Sequence, residues 1–414
     1  MSGAEGRRLS GVLGLCGLAL AAVPLAAPGP GLVPAATSGG PGWLLGLFGG
    51  GLGVSPGLYY GLLWVAFASY LLVLRAAPVI PGRLLWGSIA ALLTLFVLAP
   101  PLLSQDVFSY ISYARLGAGH HLNPYVHVPA ELPADPAYPH VGWTDSVSAY
   151  GPAFTLLTYP LGLLSVPTAL WTLKAVSGLS VLALAVLCAR LATARGLDGR
   201  TAAAFVALNP LVLVHVVGGA HNDGLMMLGV LLGCAAVLSV REAAGGGAFA
   251  LAVAVKLSAA FAAPYALAGS LRRGRFLAAF ATALALLTAL SLAAFGGEFL
   301  DSFEIAGENQ ARISNYSVPN SLAELFGLGS DPLRHAMLAL FLLAATALLA
   351  WAWRGADWVR AAGWAALGLL LASAWLLPWY AIWVLPLAAL ARDRALSGLV
   401  LAFTAFQLIN RVPL

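Results

Sequence analysis

Charge is the scarcest property of this chain: 9% of its 414 residues are charged, 61% are hydrophobic, and the mean hydropathy is +0.90. A surface so poor in charge excludes an ordinary soluble enzyme. Cysteine is nearly absent as well. Cys16, Cys188 and Cys234 each lie inside an apolar run, which argues against a disulfide framework and a cysteine metal site. No tandem repeat of the 20–50-residue period of solenoids is visible. No basic–aromatic array points to nucleic acid, and the net charge of +5 mostly reflects loop arginines.

What the chain has in abundance is apolar length. Runs of about 17–25 residues recur, each long enough to cross ~30 Å of hydrocarbon. The fold class expected is therefore all-α, a polytopic helical membrane protein inserted in a lipid bilayer. The 46 glycines and 25 prolines are compatible with this, since neighbouring membrane helices re-satisfy freed backbone groups. Eleven spans are expected, near residues 9–28, 57–75, 84–103, 167–190, 201–217, 223–240, 275–296, 334–353, 358–377, 379–391 and 395–410.

With Arg7 and Arg8 cytoplasmic, fifteen arginines fall on the cytoplasmic side and only Arg115, Arg312, Arg334 and Arg411 on the other, which holds eleven of the sixteen acids. One assignment thus meets the positive-inside rule, with residues 104–166 and 297–333 external. Two apolar stretches do not fit as crossings. Residues 150–165 would reverse the arginines that follow, so a juxtamembrane helix is expected there. Residues 247–270 lie between Arg241 and the cluster Arg272, Arg273, Arg275, so a re-entrant pair of half-helices is expected, with Lys256 near its middle.

The N-terminal Arg7–Arg8, apolar stretch and small-residue string AAVPLAAPG can also be read as a secretory signal peptide. Residues 29–56 read as a loose Gly/Pro linker. The division expected is 1–83 for N-terminal helices and linker, 84–333 for a membrane module with the two external loops, and 334–414 for C-terminal helices.

Three polar constellations fall on the outer face. The first, 104–152, opens with Asp106 just beyond a span, where an ionised acid costs far less than at the membrane centre. It continues with Tyr110, Tyr113, Arg115, His120, His121, Asn123, Tyr125, Asp145 and Tyr150. Aromatics with carboxylates and amides suit a sugar, whose ring faces stack and whose hydroxyls need partners; an aromatic belt is the bland alternative. The second is GGAHNDGL, with His221, Asn222 and Asp223 in a turn. Substrate contact is one reading; a helix cap by Asn222 or Asp223 is the other.

The third constellation holds Glu298, Asp301, Glu304, Glu308, Asn309, Arg312 and Tyr316. A helix would align Glu304, Glu308 and Arg312 on one face, and a solvated amphipathic helix explains that spacing. Arg312 is nonetheless one of few external cations, and a phosphate-bearing donor needs one; Lys256 and His335 compete for that role. Near the C-terminus Trp375, Trp379, Tyr380 and Trp383 cluster around Pro378, as an interfacial anchor or as the wall of a lipid groove or sugar platform.

The order S-x-D-x-x-x-Y after a span, then LNPY, YGP, GGAHND, VKLSAAFAAPYAL, SVPNS and LPWY resembles the actinobacterial polyprenol-phosphate-mannose-dependent α-1,6-mannosyltransferases of the GT-C superfamily. The resemblance runs from about residue 84 to 386. It implies a glycosyltransferase with its site on the extracytoplasmic face of the cell membrane, a polyprenyl-phosphate sugar donor, a glycolipid or polysaccharide acceptor such as lipomannan, and Asp106 as catalytic base. His221, Asn222 and Asp223 match the family's GGAHND stretch. A monophosphate leaving group reduces the need for a divalent metal, and no cofactor is expected. A transporter or flippase of lipid-linked sugars is the alternative from another class; the absence of visible inverted repeats stands against it.

Overall fold

The computed structural model describes residues 3–29, 33, 42–48, 50–312, 314 and 317–409, and among these every regular element is helical. Residues 30–32, 34–41 and 49 of the expected 29–56 linker, together with Tyr316, Arg411 and the side chain of Asn309, lie outside the described residues.

The chain opens with α1 (Gly3–Ala26), α2 (Pro56–Ala76) and α3 (Gly82–Leu98), followed in the first large loop by α4 (Asp106–His120) and α5 (Pro152–Gly162). Next come α6 (Val166–Ala194), α7 (Gly199–Ala207), a π-helical segment Val212–Gly218, α8 (Asp223–Leu238), α9 (Glu242–Val255) and α10 (Ala263–Gly269). The remainder comprises α11 (Arg273–Phe295), α12 (Asp301–Ala311), α13 (Val318–Phe326), α14 (Ser330–Trp353), α15 (Trp358–Ala372), a 3-10 segment Pro378–Trp383, α16 (Leu385–Leu390) and α17 (Arg394–Ile409).

Local sequence fixes many of these starts. Ser55 and Ser165 cap α2 and α6, each accepting at 3.3 Å from an amide three residues on, with proline in the first turn; Asp198 caps α7 in the same way at 2.7 Å.

Among the described residues five helices are long and apolar enough to cross a membrane: α1, α2 with its short continuation to Val79, α6, α11 and α14. The other expected spans coincide with shorter apolar helices or with a broken one. The stretch expected as a single span over 201–217 bends by 62° between α7 and the π-helical segment. Pro210 explains the break, since it offers no amide to the preceding turn, and Asn209 Oδ1 takes the Leu211 amide instead at 3.0 Å. Helices α11 and α14 leave most of their apolar surface uncovered by protein, as lipid-facing helices do.

The two stretches that did not fit as crossings are both distinctive. Residues Pro152–Gly162 form an eleven-residue helix, about 16 Å long and too short to span, lying against α4 and α9. The 247–270 stretch is broken at Lys256, where the backbone turns extended (φ −156°, ψ 123°) between α9 and α10. The segment also returns to where it began, because Glu242 at its start accepts the Arg272 amide at its end, 3.3 Å. A hairpin with Lys256 at its turn results. It is wedged between α8 and α11 through close glycine contacts: a Cβ at Gly246 would lie 2.3 Å from the Phe276 carbonyl oxygen.

Candidate active site

One cavity of about 330 Å³ collects chemistry from four separate stretches of chain. The first is the start of α4. Ser104 Oγ accepts the Asp106 amide at 3.2 Å and helps to turn the chain out of the α3 exit, leaving the Asp106 side chain 19% exposed on the cavity wall. Tyr110 and Tyr150 stand edge to face, ring centroids 4.7 Å apart, and Tyr113 donates to the carbonyls of Ser146 and Val147 at 2.8 and 3.2 Å. All three phenols line the cavity. Burial, reinforced by Asp106, pushes them above their ordinary values, so they remain protonated hydrogen-bond donors.

The second stretch is the hairpin turn at Lys256. Its placement beside the start of α5 depends on Gly151 in the AYGP string, where any Cβ would sit 2.2 Å from the Ala254 carbonyl oxygen. Lys256 Nζ donates to both oxygens of Asp223, at 2.8 and 2.9 Å, and the Trp383 indole donates to the same carboxylate at 2.6 Å. Asp223 is fully buried, whereas Lys256 is 20% exposed and lines the cavity. This corrects the reading of Asp223 as a cap: α8 has no side-chain cap, and the acid is held by a cation 33 residues away.

The third stretch is the aromatic segment before α16. Trp379 stacks on the His221 ring at 3.6 Å and 15°, and Tyr380 stacks on Trp383 at 4.2 Å, with the Lys256 ammonium 5.2 Å from the Tyr380 centroid. Trp375, Trp379, Tyr380 and Trp383 all face the cavity. His221 lies behind this wall, its Nδ1 3.5 Å from Asp106. Burial, together with Lys256 and His215, holds its imidazole well below the ordinary value, so at neutral pH it meets Asp106 as an uncharged ring.

Arg312 arrives from the fourth stretch. The expected alignment of Glu304, Glu308 and Arg312 along one helix does not occur, since α12 ends at Ala311 and Arg312 is extended (φ −69°, ψ 137°). The guanidinium swings over the Trp143 ring, 5.5 Å from its centroid, and lines the cavity. Trp143 in turn hydrogen-bonds the Asp106 carboxylate, so one indole touches both the Arg312 guanidinium and the candidate base. Sequence reasoning missed Trp143; its only signal is a tryptophan two residues before Asp145 in a loop already singled out.

The cavity therefore brings together Asp106, Tyr110, Tyr150, Lys256, Arg312, Trp379 and Tyr380. His221, Asn222 and Asp223 form its backing. The Asn222 backbone meets the Tyr110 phenol, and its buried side chain has no protein partner. Other expected contacts are engaged elsewhere. Arg115 Nε pairs with Asp135 at 2.8 Å and its Nη1 donates to the Leu164 carbonyl at 3.1 Å. Asn123 donates to the Phe295 carbonyl at 2.6 Å and ties the first large loop to the end of α11, and Tyr125 donates to the Tyr150 carbonyl at 2.7 Å and braces the loop within itself. His335 is occupied by the Asp331 carbonyl one turn back, 2.8 Å away.

Burial pushes the Asp106 carboxyl up to about 6; Lys256, Trp143 and Ser104 oppose the rise, and the nearby Asp223 charge adds to it. A carboxylate poised there can accept a proton near neutral pH. Among the described residues no three of His, Cys, Asp and Glu gather as metal ligands. The charges at hand are two carboxylates, one ammonium and one guanidinium. Opposite them Leu284, Leu287, Thr288 and Ser291 extend the cavity along α11, the sparsely covered helix.

Residues 8–272 match a family model described as the α-(1→6)-mannopyranosyltransferase N-terminal domain. The chain is 33% identical over 349 residues to α-(1→6)-mannopyranosyltransferase A of Mycobacterium tuberculosis, covering 74% of this chain and 67% of that protein. It is 29% identical over 183 residues to the Corynebacterium glutamicum protein of the same name, covering 42% and 36% respectively. No solved structure matches the chain.

Proposed function

The chain belongs to the α-(1→6)-mannopyranosyltransferase family, and on that premise we propose that it moves mannose from a polyprenyl-phosphate donor to an acceptor hydroxyl at the outer membrane face, with inversion and an α-1,6 product. The observation that carries this reading is the joining, in one cavity, of a base-ready carboxylate, two cations, a wall of aromatic rings and an apolar extension along a lipid-facing helix.

The chemistry follows from those groups. Asp106 takes the proton of the acceptor hydroxyl as its oxygen attacks the anomeric carbon from the side opposite the phosphate. The bond between that carbon and the phosphate oxygen breaks, and polyprenyl phosphate leaves with the electron pair. Its charge is met by Arg312 at the cavity wall and by Lys256, whose field is partly offset by Asp223. Aromatic faces suit the sugar ring, and the α11 wall suits the polyprenyl chain. The acceptor belongs to the glycolipid or cell-envelope polysaccharide class. The fold is read as GT-C type in the plasma membrane, with eleven spans and the division at residues 83 and 333 expected above.

Replacing Arg312 by Gln tests the donor assignment. The donor KM should rise by more than the acceptor KM, because only the donor carries phosphate. Equal changes in both, or none, would remove Arg312 from the donor site. The topology has a separate test: a cysteine at 312, in a background lacking the exposed native Cys16, should react with an impermeant maleimide added to intact cells. Labelling only after lysis would overturn the outward orientation.

A further inference from the structure

The sequence contains two lysines, and both come to this site: Lys256 within it and Lys174 behind it. Lys174 is fully buried on α6 and takes no part in the chemistry above. Its Nζ donates to the Gly218 carbonyl at 2.7 Å, and more loosely to those of Pro100 and Val217 at 3.4 and 3.5 Å. One turn further along α6, Ser177 Oγ donates to the Val216 carbonyl at 2.8 Å. Val216, Val217 and Gly218 end the π-helical segment, whereas Pro100 lies beyond the end of α3.

The two segments that Lys174 joins are those that carry the acids. Pro100 leads through Leu103 to Asp106, and Gly218 leads through Ala220 to His221 and Asp223. Leu103 (φ 57°) and Ala220 (φ 56°) are both left-handed, a conformation that non-glycine residues hold only when their surroundings enforce it. One direct hydrogen bond, from the Leu102 amide to the Gly218 carbonyl at 3.1 Å, also joins the segments, and it shares its acceptor with Lys174. We propose that Lys174 is a positioning residue: its buried Nζ holds the Asp106-bearing and Asp223-bearing segments together through hydrogen bonds to their carbonyls and so sets the place of the base relative to the donor.

The proposal rests on Asp106 acting as the base, and its test separates the two. In lipid nanodiscs, with enzyme in excess over polyprenyl-phosphate mannose, Lys174→Met should lower the single-turnover rate constant roughly 10- to 100-fold, as misplacement of a reacting group does. The amplitude should stay near that of the wild type. At saturating enzyme a loss of folded protein alone leaves the rate constant unchanged and cuts the amplitude only once folded enzyme falls below the donor, and an unchanged rate constant would overturn the proposal. Lys174→Gln keeps a shorter donor, should fall between the two, and carries the same comparison if the Met variant does not fold. Hydrogen exchange gives an arm that needs no substrate. The Leu102 amide should exchange faster in both variants while amides near 354–357, between α14 and α15, do not change; unaltered exchange at Leu102, or a rise everywhere, would refute the tie. If the wild type makes no product from this donor, the donor reading fails and the exchange arm alone decides Lys174.

Discussion

Asp106→Asn should lower turnover by about 10²–10⁴-fold, the usual loss when a general base is removed, while the protein folds and binds donor as before. The amide keeps the shape of the carboxylate and can still meet Trp143 and Ser104, so what disappears is basicity. Burial, the largest influence on this carboxyl, raises it to about 6, and the two consequences of that rise have opposite signs. For catalysis, the wild-type rate should fall as pH drops through about 6, because protonation disables the base. For stability, a folded-state value above the unfolded one favours the fold most at low pH, and that contribution is lost as pH rises through about 6. At neutral pH the ionised acid therefore works against the fold, and Asp106→Asn should be neutral or stabilising in a thermal melt. Near-normal turnover in this variant, beside a collapse in Asp223→Asn, would move the base to the HND turn.

The second large effect is structural. Lys256→Met removes the cation from a fully buried carboxylate, leaving Asp223 with only the Trp383 indole as donor. Stranding one member of a buried pair typically costs about 3–5 kcal/mol, a substantial part of the ~5–15 kcal/mol by which folded domains are stable. The yield of folded protein from detergent, read by size-exclusion chromatography, should fall sharply. Pairing the change with Asp223→Asn removes the stranded charge and should restore much of that yield without restoring activity. A Lys256→Met protein that melts with the wild type would show that the pair contributes little to the fold.

Much of this architecture was legible in the sequence because its signals are local. Hydropathy located apolar helices at the expected positions, five of them long enough to span and the rest shorter or broken, and the arginines marked 150–165 and 247–270 as anomalous, where a short helix and a hairpin stand. Asp106, Arg312 and the LPWY aromatics could be singled out by their chemistry alone. The illegible part was partnership. Nothing in a linear pattern joins Asp223 to Lys256 or to Trp383, 33 and 160 residues away. Likewise, Arg115, Asn123 and Tyr125 resemble sugar ligands by type, and only three-dimensional packing reveals that they brace the loop. The helical register drawn through Arg312 failed because α12 ends one residue before it, which lets the guanidinium turn toward Trp143.

The order of the Asp223–Lys256 pair along the chain also bears on how the molecule is made. Asp223 leaves the ribosome 33 residues before the lysine that neutralises it, and Trp383 follows much later. The acid at the head of α8 therefore gains its cation only when the hairpin turn has been made. Synthesis thus completes the partners of Asp223 only when Trp383 has been made, and a nascent chain stalled between residues 223 and 256 carries an acid whose counter-ion does not yet exist.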